Sequence, residues 1–177
     1  MRHVRIVVLI LVTWVLFSCE KENSEQNTRV TVFLYENCPI AQYMCGPLRN
    51  AYHYFCDTLD QNIEFRGFSP NSFSTNESLS VFKEKYNLPF SVTLDYNHTV
   101  EEPGEYTQLY QPVVTPEVFI ELNGEIIYRG MIDNSYQELG QWSLPTEHYL
   151  FDVLTSIMNG DSLVYLENQA VGCFINY

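Results

Sequence analysis

From Arg29 the chain reads RVTVFLY, a run of β-branched and aromatic residues with few polar interruptions, and this predicts a first strand. Pro39 follows it closely, where a proline can open a helix without losing a needed donor. Tyr43, Leu48, Tyr52, Phe55 and Leu59 then recur at helical spacing to about Asp60. Gly46-Pro47 lies inside that stretch and predicts a kink or a break. NIEFRGFSP predicts a second strand ended by Pro70, NESLSVFKEKYNL a helix with Asn76 as its cap, and PFSVTLD a third strand.

Tyr96 to Pro112 is the least regular part, with a short helix expected at EYTQLY. EVFIEL and EIIYRG flank Asn123-Gly124, the strongest hairpin signal in the chain, because both turn residues tolerate positive φ. Residues 131–145 read as an irregular crossing loop. PTEHYLFDVLTSIMNG reads as a terminal helix capped by Thr146, with Gly160 beyond its end and a tail from Asp161 to Tyr177. The order βαβαβ(α)ββα describes an α/β domain whose central mixed sheet carries an antiparallel hairpin at one end.

Residues 6–17 are almost wholly apolar after a short basic start, too short for a comfortable membrane span and suited to a signal-peptide core. Leu16-Phe17-Ser18-Cys19 resembles the lipobox of bacterial lipoproteins, which implies a signal peptide over 1–18 and membrane attachment through a lipidated Cys19. An ordinary secretory signal or an uncleaved anchor are the alternatives. Each of these puts the folded part outside the cytoplasm. Residues 19–29 are a polar tether, and 30–177 are long enough for one domain with its own core. Of the 9 basic residues Arg2 and Arg5 leave with the signal, so 7 face 22 acidic ones and the mature net charge is −15. That disfavours nucleic acid and anionic headgroups as partners.

Candidate chemistry centres on Cys38. At the end of a strand and the start of a helix, unpaired amide groups and the helix dipole favour a thiolate, the form that attacks disulfides and peroxides. Thr115-Pro116 is the second marked position. A proline before a strand is often only a terminator, and a trans bond is the default.

The element order, the strand–Cys-Pro–helix opening and TPEVFIELNGEIIYRG resemble the thioredoxin-like superfamily. That resemblance implies a cis Pro116 facing Cys38, with Thr115 offering backbone groups to a substrate. ENCPIAQY, YRGMIDNSYQELG and the closing AVGCFI narrow it to a peroxiredoxin-like redoxin group, loosely of AhpC/TSA type. Two departures stand out. Ala41 occupies the position of the second thiol of a Cys-x-x-Cys centre. Tyr35 replaces the threonine usual before a peroxidatic cysteine, and Arg129 is the one arginine in the C-terminal half.

Cys45, Cys56 and Cys173 could each answer Cys38. Seven residues of straight helix rise about 10 Å, beyond the roughly 7 Å that a disulfide tolerates between Cα atoms. Cys45 therefore pairs with Cys38 only if the helix breaks at Gly46-Pro47. Cys173, on a mobile tail, carries no such restriction and matches the late Gly-Cys of the redoxin group, so Cys38–Cys173 is the favoured pair. It is either redox-active or a permanent bridge. The expected activity is thiol–disulfide exchange or weak thiol-dependent peroxidation. A protein disulfide or small peroxide would be the substrate, an extracytoplasmic thiol the reductant, and no cofactor or resident metal is required. The alternatives are a redox-inactive binding module using the 13 tyrosines and 11 phenylalanines, and a copper(I) carrier using Cys38 and Cys45 with His53 or His98. Cys56 is expected to be a buried apolar residue, and Asp133, Asn134 and Tyr136 to be turn-forming.

Overall fold

The computed structural model describes residues 26–163 and 166–177. The signal segment, Cys19 and the tether as far as Glu25 lie outside the described residues. Strand β1 (Thr28–Phe33) occupies the centre of the sheet, and its alternation divides the core. Val30 and Val32 join one large apolar cluster, whereas Phe33 joins a smaller one with Phe68, Tyr110 and Phe119. Helix α1 (Pro39–Tyr52) follows, and a π-helical turn, His53–Thr58, continues it.

The expected break at Gly46-Pro47 is absent: Pro47 lies inside α1. A proline there forfeits one backbone bond. The inward Met44, Cys45, Leu48 and Ala51 are all buried around it, and that apolar face keeps the helix running.

Strand β2 (Ile63–Ser69) pairs in parallel with β1. Helix α2 (Asn76–Tyr86) is capped by Thr75 rather than by Asn76, which is its first residue. The Thr75 hydroxyl accepts from the Ser78 amide at 3.0 Å while the Ser78 hydroxyl accepts from the Thr75 amide at 3.0 Å. This reciprocal pair, available to Thr75 and not to its neighbour, sets the boundary. Strand β3 (Ser91–Leu94) adds to β2 in parallel. A two-residue ribbon, β4 (Tyr96–Asn97) with β5 (Glu102–Pro103), leads to helix α3 (Glu105–Tyr110), the short helix expected at EYTQLY.

After β6 (Val114–Thr115) come β7 (Glu117–Leu122) and β8 (Glu125–Gly130). Asn123 and Gly124 between them have φ of 54° and 86°, the positive pair that a tight hairpin turn requires. The sheet order is β3-β2-β1-β7-β8, with β7 antiparallel to both β1 and β8.

Residues 131–145 are not wholly irregular, since β9 (Tyr136–Glu138) and β10 (Gln141–Trp142) form a small ribbon. Helix α4 (Tyr149–Asn159) begins later than expected, with His148 at its cap and Gly160 closing it at φ 69°. Thr146 does not cap it because its amide donates to Asn134 Oδ1 at 2.8 Å and its hydroxyl accepts from Asn134 Nδ2 at 3.0 Å, tying it to the crossing loop. The tail carries β11 (Cys173–Phe174). The architecture is the expected α/β one, a central mixed sheet with flanking helices. Among the described residues no helix is long and apolar enough to cross a membrane.

Candidate active site

Beyond β1 the Leu34 amide still donates to Phe68 O at 2.8 Å, and the chain then turns, with the Cys38 amide donating to Tyr35 O at 3.0 Å. Cys38 caps α1 in an extended conformation, φ −83° and ψ 116°, as the residue before a proline prefers. Its carbonyl accepts the first helical bond from Gln42 at 2.9 Å. The turn is anchored from below by Glu36, a buried carboxylate that accepts hydroxyl bonds from Ser74 and Ser78, both 2.7 Å, while its carbonyl accepts from Gln42 Nε2 at 2.7 Å.

The Thr115–Pro116 peptide bond is cis. Cys38 Sγ lies 3.1 Å from the Thr115 carbonyl oxygen, so the two proline-marked positions share one site. Cys38 is bonded to Cys173 across a sequence separation of 135, with Cα atoms 5.9 Å apart. Cys173 in turn sits opposite Thr115 in the antiparallel β6–β11 pair, and Phe174 opposite Val114. Cys38 is fully buried in this state and Cys173 half-buried.

The tail is held rather than free. At one end the Asn168 side chain accepts from the Met131 amide at 2.7 Å and donates to the Tyr128 hydroxyl at 3.0 Å. At the other, the Asn176 carbonyl accepts from the Ser72 amide and hydroxyl at 2.8 and 3.0 Å, and its amide donates to Asn71 Oδ1 at 2.9 Å. Gly172 is required by closeness: a Cβ there would meet Thr115 O and lie 3.0 Å from Pro116 N.

Cys45 lies on the buried face of α1, its sulfur donating to Ala41 O at 3.2 Å. Burial pushes its thiol up to about 12, which makes it a poor nucleophile, and it is unpaired. Cys56 differs from its expected buried place: it is partly exposed in the π-helical turn, its sulfur 3.5 Å from Ile63 O, and burial is the main cause of its raised thiol pKa. His53 pairs with Asp57 and His98 with Ser74 O, and the disulfide takes Cys38. Thus the cysteines and histidines considered for copper(I) are not assembled, and among the described residues no cluster of three such ligands occurs.

Arg129 forms an ion pair with the buried Glu117 at 2.6 Å, bonds Gln111 O and stacks over Phe119. Asp133 accepts from the Ser135 amide and hydroxyl, and Asn134 from the Thr146 and Glu147 amides, which are turn-forming roles. Tyr136 packs edge-on against Tyr43.

Sequence reasoning did not single out Glu36, Asn71, Asn168 or Asn176. Glycine immediately before Cys173 was the available signal for a tail backbone pressed against another chain segment.

No protein-family model matches the sequence, and no curated protein matches it. Solved structures do. An uncharacterized conserved protein of Geobacillus kaustophilus superposes with a TM-score of 0.68 at 20% identity, over 89% of this chain and 81% of that one. A hypothetical protein of Sinorhizobium meliloti gives 0.70 at 18% identity, over 86% and 81%. At such identities the likeness concerns the fold alone. The thioredoxin domain of a thiol-disulfide oxidoreductase from Bacteroides vulgatus reaches 0.49 at 16% identity, over 59% of this chain and 70% of that domain, and bears no weight on the site.

Proposed function

We propose that this chain is an extracytoplasmic thiol–disulfide oxidoreductase of a redoxin-like kind, tethered through a lipidated Cys19. Cys38 is its attacking thiol and Cys173 its resolving thiol. The observation that carries the reading is the Cys38–Cys173 bond beside the cis Thr115–Pro116 peptide. With both thiols reduced, the Cys38 thiolate attacks one sulfur of a substrate disulfide. This forms a mixed disulfide and releases the other substrate sulfur as a thiolate. Cys173 then attacks Cys38 Sγ, expelling the second substrate thiolate and closing Cys38–Cys173. Two electrons pass to the substrate, and an external dithiol restores the pair by becoming a disulfide itself.

Disulfide exchange is favoured over peroxidation because Arg129, the candidate peroxide-holding cation, is committed to Glu117 and Gln111. A second reading, a permanent bridge in a binding module, draws support from the full burial of Cys38 and the fastened tail. Substituting Cys173→Ser separates them. The proposed enzyme then accumulates a mixed disulfide on Cys38 when given a disulfide substrate, while Cys45→Ser cycles normally. A module shows neither trapping nor turnover.

A further inference from the structure

Between its two fastenings the tail crosses a cavity of about 360 Å³ lined by Met131, Asn134, Gln137, Tyr149, Gln169 and Val171. It spans the gap as a strap, anchored at Asn168 and caught at Cys173–Asn176. Two polar atoms beneath the catch are buried with no partner in the protein: Asn71 Nδ2 and Thr115 Oγ1. Both residues are fully buried, and both are residues the tail pairs with through their other polar groups. The closed tail thus lies against two residues that each keep a buried hydrogen-bonding group without a partner, a cost that the disulfide and the catch must exceed.

We propose that residues 169–177 are a redox-operated latch, closed over Cys38 while the disulfide stands and released when it is reduced, with Asn168 remaining as the hinge. This rests on the reading of Cys38 and Cys173 as a reversible pair. In the opening step a dithiol attacks the bond as a thiolate and forms a mixed disulfide with one cysteine, releasing the other. The reagent's second thiol then closes its own ring. The reagent loses two electrons, and Cys38 and Cys173 leave as two thiols. The covalent hold is gone, and the cost of the unpartnered Asn71 Nδ2 and Thr115 Oγ1 then weighs against the closed tail. Gly172 makes closure possible, because any side chain there collides with the Thr115 carbonyl.

Hydrogen exchange on the full chain tests this directly, comparing the oxidised protein, the protein reduced with dithiothreitol, and Cys173→Ser. The latch predicts that exchange at Cys173, Phe174 and Asn176 speeds up at least about tenfold on reduction and in Cys173→Ser, while the Met131 amide beneath Asn168 stays protected. Gly172→Val is expected to show the open pattern under oxidant and to form the disulfide at least about tenfold more slowly. Unchanged protection of Asn176 and Phe174 after reduction overturns the latch. So does normal closure of Gly172→Val. Turnover of a disulfide substrate, followed in the same samples, keeps the two ideas apart. An opening tail without turnover upholds the latch and defeats the enzymatic reading. A closed tail with normal turnover does the reverse.

Discussion

Cys38 Sγ lies 3.1 Å from the carbonyl oxygen of Thr115, close enough to donate to it whenever the sulfur carries a proton. In the disulfide it carries none, so at this distance only a protonated Cys38 thiol would gain that bond as the covalent one is lost. Thr115 is also the residue opposite Cys173, which makes its backbone the meeting point of both cysteines.

Loss of the bridge has a calculable effect. With a sequence separation of 135, the unfolded chain is constrained over a long loop. The oxidised protein should exceed Cys173→Ser in unfolding free energy by about 4–5 kcal/mol. Urea unfolding of the two, both without added thiol, measures it; a difference below about 1 kcal/mol would mean that the unfolded chain or native strain cancels the constraint.

Cys45 should leave a signature at high pH. Its folded-state thiol is raised to about 12 from an ordinary 9.0 by burial, so it ionises first in the unfolded chain. Its stabilisation is fully present below about pH 9 and is lost as pH climbs toward about 12, because the unfolded state binds fewer protons in that window. Stability of Cys45→Ala should therefore fall less steeply than wild type over that range. Parallel curves would show that Cys45 is not buried as described.

The ion pairs should rank by burial. Glu117 is 4% exposed at its side chain and Arg129 33%, whereas Arg29 and Glu64 are 30% and 53% exposed. Arg129→Ala removes the counter-charge of a buried carboxylate, which keeps its bond from the Val113 amide at 2.7 Å, and should cost about 2–3 kcal/mol, discounted from a fully buried pair for Arg129's partial exposure. Glu64→Ala removes an exposed partner and should cost about 0–1 kcal/mol. Equal losses in thermal or urea unfolding would contradict this ranking.

Asn134 should matter through its oxygen. It accepts from the Thr146 and Glu147 amides at 2.8 and 3.1 Å ahead of α4. Asn134→Ala should cost about 1–2 kcal/mol, as loss of a capping side chain does. Asn134→Asp, which keeps the acceptor, should recover most of it; failure to recover would place the effect in the bond from Nδ2 to Thr146.

Features governed by neighbouring residues were legible in the sequence. Asn123-Gly124 announced its hairpin through the need for two positive φ values, and Cys38-Pro39 announced a helix start because proline needs no donor there. Cap identities failed by a residue or more because several polar residues compete locally. Ser78 decides for Thr75, and Asn134, twelve residues away, withdraws Thr146. Pro47 was overridden by the buried face of α1. The fastenings of the tail were illegible for a plainer reason: Asn71 and Asn176 meet across 105 residues, and no local pattern marks such a bond.

The central claim, that Cys38 and Cys173 form a reversible pair, is tested most directly by equilibrating the full chain in graded dithiol–disulfide buffers and mass-tagging each cysteine. The account predicts that Cys38 and Cys173 become taggable together, in one two-electron step above about −300 mV, the level below which structural disulfides resist reduction. Cys45 should show no such step. A bond that stays closed throughout, or a step that couples Cys38 to Cys45 instead, would contradict it.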